Sequence, residues 1–220
     1  MVRKIDYTFN ISMGLEEIHQ KKMVHRDFHT GNILFNIIAN PDRINDNTIH
    51  ISDMGLCGDV SNTDQNNIYG VIPYIAPEVL KGELYTQAAD VYSFVNMPEA
   101  PKCYIYLMKQ CWNSNPDNRP KTTEIFESIK LFCGCYNHVD DFENYIGIKM
   151  EQQHYEIENQ FKEAEEYRKS HLTSFDENKR LATHSQAIYT SRLLNPFTKN
   201  IPKYDNVDNN TVEIIDFTQL

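Results

Sequence analysis

The chain has 220 residues, 21 Lys+Arg against 31 Asp+Glu and a formal net charge of -10, a balance that argues against a nucleic-acid module, whose phosphate contacts need the opposite sign. Its 40% hydrophobic content, with 13 Tyr, 11 Phe and one Trp, suffices for one sizeable core plus a polar appendage. No run approaches the roughly 20 apolar residues of a membrane span, and Met1-Val2-Arg3-Lys4-Ile5-Asp6 has no apolar stretch for export, so a soluble, cytoplasmic protein without membrane binding is expected.

Ile11, Leu15 and Ile18 recur at i, i+4 and i+7, which predicts an amphipathic helix running toward Lys21-Lys22 and leading into Val24-His25-Arg26-Asp27. After Asn32 come Ile33-Leu34-Phe35, the turn-forming Asn40-Pro41-Asp42 and the alternating Thr48-Ile49-His50-Ile51, which together predict a β-hairpin. Asn32 enters that hairpin and Asp53 leaves it. The two ends of an antiparallel pair are neighbours, so Asp27, Asn32 and Asp53 are expected to converge on one small volume. Further on, Pro98 stops the helix that begins near Asp90, because proline cannot continue it. Pro101 and the run Tyr104, Leu107, Met108, Cys111, Trp112 then predict a new helix.

Residues 1–133 carry 12 basic and 16 acidic side chains and residues 134–220 carry 9 and 15, so the shorter second segment is the more acidic. Gly, Val and Pro also thin out between Asp140 and Arg180, which places a first unit at 1–132 and an acidic helical tail at 133–220. In the tail Met150, Ile157, Phe161 and Ala164 share a 4-3 spacing, with Glu158/Lys162 and Glu165/Lys169 as i, i+4 pairs. Packing back on the first unit and a lone solvated helix are both favoured over a coiled coil. Beyond Thr183, Asn195-Pro196, Ile201-Pro202 and Asn209-Asn210 predict disorder or loose attachment toward the C-terminus. The five cysteines, Cys57, Cys103, Cys111, Cys133 and Cys135, are odd in number, lack paired zinc spacing and are expected as reduced thiols.

Clustered oxygen ligands beside a separate Asp suit magnesium with bound phosphates, and hence phosphoryl transfer. His25-Arg26-Asp27 followed by Asn32 resembles the catalytic loop of protein kinases, and Asp53-Met54-Gly55 stands where that family has its DFG motif. The run from Gly70-Val71-Ile72-Pro73 to Ala76-Pro77-Glu78 resembles the end of an activation segment, Asp90-Val91-Tyr92-Ser93-Phe94 the buried helix after it, and Cys111-Trp112 with Pro116-Asp117-Asn118-Arg119-Pro120 the last helices. The order and spacing of these strings across residues 5–132 identify a partial large lobe, closest to the tyrosine-kinase-like branch. The resemblance implies a protein-kinase-like fold, α+β overall, of which this chain is the mainly α part with one β-hairpin and the acidic helical tail.

By position, the resemblance makes Asp27 the catalytic base, with His25 and Arg26 beside it, and Asn32 and Asp53 the ligands of magnesium and ATP. Arg26 matches the arginine that clamps a phosphorylated activation segment, for which Ser61, Thr63 and Tyr69 are the available acceptors, though any one of them also reads as an ordinary loop residue. Glu78 and Arg119 match a buried ion pair, and Asp90 matches the carboxylate that holds the catalytic-loop backbone, all three structural.

The pattern also departs from the family. No glycine-rich loop followed by a strand lysine occurs in these residues, and the 24 before His25 are taken up by one helix, so the small lobe is expected to be absent. The helical scaffold after Phe94 is shortened and should expose apolar surface. His29 and Val71 stand where serine/threonine kinases place a lysine and a threonine against the catalytic Asp, and His29 reads as a hydrogen-bonding loop histidine or a substitute for that lysine. The family activity implied is ATP-dependent phosphoryl transfer to protein Ser, Thr or Tyr hydroxyls, with this chain weakly active or inactive because of truncation. The competing reading is a non-catalytic pseudokinase or fragment that binds partner proteins.

Overall fold

Ile5, Thr8, Ile11, Ser12, Leu15 and His19 repeat every three or four residues, and they form the buried face of helix α1 (Val2–Gln20). The computed structural model describes residues 2–36, 48–61, 67–94, 100–136, 152–171 and 190–198. Lys22, at φ 57, turns the chain out of α1 as its N–H donates to the His19 carbonyl at 2.9 Å. That turn delivers β1 (Met23–Val24), which pairs antiparallel with β4 (Gly58–Asp59).

The hairpin forms from the segments that alternation pointed to. β2 (Ile33–Asn36) pairs with β3 (Thr48–Ile51) in a register that sets Ile33 opposite Ile51 and Phe35 opposite Ile49. The expected turn at 40–42 lies outside the described residues. Beyond β4 the chain returns as β5 (Tyr69–Gly70), short helix α2 (Pro77–Leu80) and helix α3 (Gln87–Tyr92). α3 ends before the 95–99 stretch that carries Pro98, which is also outside the described residues.

Helix α4 (Lys102–Cys111) starts at its Pro101 cap as the proline position predicts, and it buries Tyr104, Leu107, Met108 and Cys111. Helix α5 (Thr122–Tyr136) lies along α1 and continues through residue 132, burying Cys133 and Cys135 as well as Ile125, Ile129 and Phe132. Helix α6 (Gln152–Ser170) then packs back against α5 and α4. Its Phe161 is fully buried, 6.0 Å ring to ring from Phe132 and 5.2 Å from Tyr136. The acidic helix thus supplies apolar cover to the core that holds Phe28, Phe94, Tyr104 and Ile129. Lys162 pairs as expected with Glu158, which is buried on the inner face. Glu165 instead takes Arg168 at 2.6 Å, one residue closer than Lys169, because the guanidinium fork can satisfy both carboxylate oxygens. That hydrogen-bonded pair holds the Glu165 carboxyl down to about 2.

A second, smaller core gathers Val24, Ile68, Ile75, Ala76, Val79, Tyr85 and Ala89, and residues 190–198 close it. Strand β6 (Arg192–Leu193) pairs antiparallel with β5, and Leu194 enters the cluster with no exposed surface. Burying one leucine contributes about 1.5–3 kcal/mol. Among the described residues no helix is long and apolar enough to cross a membrane, and all five cysteines are free thiols. Burial pushes Cys103 up to about 11 and Cys111 and Cys135 up to about 12, so these are packing groups rather than nucleophiles.

If α6 is an integral layer of the core, Phe161→Ala should destabilise the whole fold by about 3–5 kcal/mol, the usual cost of emptying an aromatic site. Urea unfolding followed by Trp112 fluorescence tests this, and an unchanged midpoint would mean that the helix is detachable.

Candidate active site

Asp90, on α3 and 1% exposed, organises the loop between α1 and β2. Its Oδ2 accepts the His25 N–H at 2.7 Å and its Oδ1 the Arg26 N–H at 3.0 Å, while the His19 Nε2–H donates to Oδ2 at 2.9 Å. Arg26 takes φ 70 in doing so, a left-handed conformation that a non-glycine residue adopts only under compensation. Two backbone donors on one carboxylate supply it. Gln87 of the same helix ties down the other side of the turn, its Nε2–H group donating to the carbonyls of His19 at 2.8 Å and Met23 at 3.2 Å.

His25 is fully buried and links this loop to the hairpin exit. Its Nε2–H donates to the Ser52 carbonyl at 3.0 Å and its Nδ1 accepts the Asp27 N–H at 3.3 Å, a pattern that selects the Nε2–H tautomer. From the hairpin side, the N–H and hydroxyl of Ser52 both donate to the Asn32 carbonyl, at 2.8 and 3.0 Å. The Asn32 amide Nδ2 donates to the Asp27 carbonyl at 2.8 Å and reaches Asp27 Oδ2 at 3.3 Å. Asp27 and Asn32 are therefore in direct contact. Asp53, one residue past Ser52, is exposed at φ 58 where it opens the turn Met54–Leu56.

Asn32 and Asp53 offer hard oxygen donors of the type magnesium takes. With Nδ2 committed to Asp27, the Asn32 oxygen is the atom left to act as ligand. No group of three or more His, Cys, Asp or Glu side chains among the described residues could hold a metal on its own. Two protein oxygens fit a cation that completes its shell with water and phosphate, and do not fit a resident all-protein site.

Asp27 is 5% exposed, and its second oxygen, Oδ1, accepts no hydrogen bond. His29 faces it. The His29 Nδ1 accepts the Gly31 N–H at 3.0 Å, which leaves Nε2 as the protonated nitrogen, 3.4 Å from Asp27 Oδ1 and itself without a hydrogen-bond partner. Buried polar atoms left in this state are costly and mark places where a ligand completes the set. Gly70 lies on the same oxygen: a Cβ there would sit 3.5 Å from Asp27 Oδ1 and 2.8 Å from Ile75 Cδ1, at a φ of +141. Only glycine brings the end of β5 this close to the carboxylate.

Arg26 extends toward β4, where its guanidinium donates to the Asp59 carbonyl at 3.4 Å and its Nε has no partner. Gly58 makes room for it, since a Cβ there would meet the guanidinium at 2.8 Å. Ser61 is close by, its N–H and hydroxyl donating to Asp59 Oδ1 at 2.8 and 2.5 Å, and these bonds hold the Asp59 carboxyl below its ordinary value. Tyr69 sits half-buried in β5, its carbonyl accepting the Tyr85 hydroxyl at 2.8 Å. Burial, with the charges of Asp90 and Asp27 behind it, keeps that phenol protonated. Thr63 lies outside the described residues.

Glu78 and Arg119 meet as a buried bidentate pair, Nη1 to Oε1 at 2.6 Å and Nη2 to Oε2 at 2.7 Å. The Arg119 Nε–H donates to the Asn113 carbonyl at 2.8 Å and Nη1 to the Ala88 carbonyl at 2.9 Å, with the guanidinium 5.0 Å from the Tyr92 ring centre. Sequence reasoning missed His19, Gln87 and Ser93, whose hydroxyl donates to the Tyr74 carbonyl, and it missed the docking of residues 190–198. The i+4 step from Leu15 put His19 on the buried stripe, which was the available signal for that residue. The others carry none.

Asp27 and the contacting Asn32 thus lie at the entry of the hairpin, and Asp53 lies just past its exit, on a mainly helical scaffold. Residues 1–99 match the family model described as protein tyrosine and serine/threonine kinase. A probable serine/threonine-protein kinase of Dictyostelium discoideum is 27% identical over 150 residues, 53% of this chain and 11% of that protein. Mitogen-activated protein kinase kinase kinase 12 of Rattus norvegicus is 24% identical over 161 residues, covering 58% of this chain and 17% of its own length. Fibroblast growth factor receptor homolog 1 of Drosophila melanogaster is 27% identical over 161 residues, 56% of this chain and 21% of the relative. The similarity is to members of the protein kinase superfamily. The chain spans only 11% to 21% of the length of these relatives.

Arg119→Ala would strand Glu78 as a buried uncompensated charge and should cost on the order of 3–5 kcal/mol. Urea unfolding measures it. A loss below about 1 kcal/mol would place the pair among those worth little, like exposed ion pairs.

Proposed function

We propose that the chain carries the large-lobe half of a protein kinase, in which Asp27 takes the proton of a protein hydroxyl as it attacks the terminal phosphate of ATP. The observation that carries this is the unpartnered Asp27 Oδ1, buried beside Asn32 and His29 at the convergence of the catalytic loop and the hairpin. Asn32 and Asp53 would hold magnesium, which, when bound, neutralises charge on the transferring phosphoryl group. His29 would orient Asp27 through its Nε2–H, in the place where serine/threonine kinases use lysine. Arg26 would meet phosphate placed on Ser61, Thr63 or Tyr69, and the 3.4 Å bond it now makes to a backbone carbonyl is weak enough to exchange.

We place the chain in the tyrosine-kinase-like branch, which the mixture of serine/threonine kinases and a receptor homologue among its relatives supports. Five free thiols favour a reducing compartment such as the cytoplasm. The 220 residues contain no glycine-rich loop followed by a strand lysine, so on this reading they position the phosphates poorly by themselves. The second reading, a non-catalytic module acting through its surfaces, is favoured by one observation: Asp27 Oδ1 is out of reach of solvent.

Calorimetric titration with ATP separates the two. Weak binding that requires magnesium and is lost in Asp53→Ala is expected; affinity indifferent to both would remove Asp53 from the site. Phosphate transfer from labelled ATP to a generic protein substrate should be at or near background for the 220-residue chain. Appreciable transfer that survives Asp27→Asn would overturn the assignment of the base.

A further inference from the structure

Residues 190–198 join a strand far back in the sequence, with paired residues 122 (192 − 70) and 124 (193 − 69) apart. Arg192 stands opposite Gly70 and Leu193 opposite Tyr69. Leu194 donates its N–H to the Ile68 carbonyl at 2.7 Å, and Asn195 Oδ1 accepts the Ile68 N–H at 2.6 Å, so side chain and backbone together satisfy both polar groups of Ile68. The Leu194 side chain is fully buried among Val24, Ile68, Ile75, Ala76, Val79 and Tyr85. This is a two-stranded antiparallel pairing with one side-chain pocket, main-chain bonds and a pocketed side chain together being the means by which extended peptides are recognised. The attachment is short: two paired residues, one buried leucine and one asparagine cap.

The edge that receives it lies against the proposed catalytic base. Gly70 is the residue whose missing Cβ would sit 3.5 Å from Asp27 Oδ1, and its opposite number is Arg192. Antiparallel register carries Ser191 to the position opposite Val71, a residue 2% exposed. The segment therefore runs past the strand end that lies beside Asp27, and that carboxylate oxygen is closed to solvent and accepts no hydrogen bond.

We propose that the Ile68–Gly70 edge with its apolar cup is a docking site for an extended peptide bearing a leucine followed by asparagine, and that the chain's own residues 190–198 fill it in cis and close the approach to Asp27. Peptide docking does not depend on phosphoryl transfer; only the consequence for a substrate hydroxyl rests on Asp27 being the base. Release of the segment frees both the edge and the carboxylate, and a Leu-Asn strand supplied by another protein covers both again.

The test is binding and chemical accessibility rather than activity, so a chain without kinase activity passes or fails it equally. A fluorescent peptide of residues 190–198 is titrated against the full chain and against Leu194→Asp. Because a tethered segment competes at high effective concentration, the peptide should bind Leu194→Asp at least tenfold more tightly than the intact chain. The same peptide with aspartate at the Leu194 position should bind neither. Carbodiimide labelling with an amine, read by mass spectrometry, should modify Asp27 in Leu194→Asp, leave it unmodified in the intact chain and be suppressed again by added peptide. Unlabelled Asp90 and protected His25 and Arg26 amides report that the variant remains folded. If they fail, Asn195→Ala, which leaves the cup apolar, should give intermediate affinity and labelling. Equal peptide binding by the intact chain and the variants, or binding to none of them, overturns the docking site; equal labelling of Asp27 in the intact chain and the variants overturns the closure.

Discussion

The Asp90 carboxylate is the fixed point of the structure. A short helix in the middle of the chain places one buried anion where it accepts two successive backbone N–H groups of the His25–Arg26 loop and the ring N–H of His19 from α1. Buried carboxylates are tolerated when their lone pairs are filled in this way. Both donors reach the same carboxylate with Arg26 at φ 70, so the two bonds compensate the left-handed turn. With the turn fixed, His25 points inward to Ser52 and Asp27 follows in contact with Asn32.

A second anchor acts at the other end of the segment that leads to α3. The Glu78–Arg119 pair joins α2 to the loop before α5, and Arg119 also binds the Ala88 carbonyl near the start of α3. That loop and α3 are thus tied into the late helices, and α5 in turn packs along α1. Asp90 is held from both sides: by the helix that carries it and by the loop it organises. Phe161 from α6 is buried against Phe132 and Tyr136 of α5, which is why an acidic helix with few apolar positions still contributes to the core.

What the sequence disclosed follows the range of each interaction. The hairpin was legible because alternation and two flanking strands are local, and it put Asn32 next to Ser52, directly before Asp53, in the structure. The roles of Asp90, Glu78 and Arg119 came through resemblance, since no periodicity would single out one buried carboxylate at a separation of 65 residues from its donor partner His25. Phe161 belonged to a visible apolar stripe, but the stripe did not say what it packs on. Asn195-Pro196 read as punctuation of a loose tail because the local signal of that dipeptide is turn formation. Its actual partner, Ile68, lies at a separation of 127 residues, and a two-residue strand leaves no pattern to detect.

The same long-range logic explains where the strain collects. Among the described residues the non-glycine positions at positive φ are Lys22, Arg26 and Asp53, at the end of α1, within the loop between β1 and β2 and at the exit of the hairpin. Each is a point where a regular element must stop within one residue so that a polar group can face the common centre. Such conformations persist when surrounding bonds over-determine them. Lys22 is held by the His19 carbonyl and Arg26 by Asp90, while Asp53 is exposed and its side chain makes no capping bond. Of the three, Asp53 therefore has the least to keep it in place within this chain. Its conformation is the one least fixed by hydrogen bonds among the described residues, at the corner of the site that lies open to solvent.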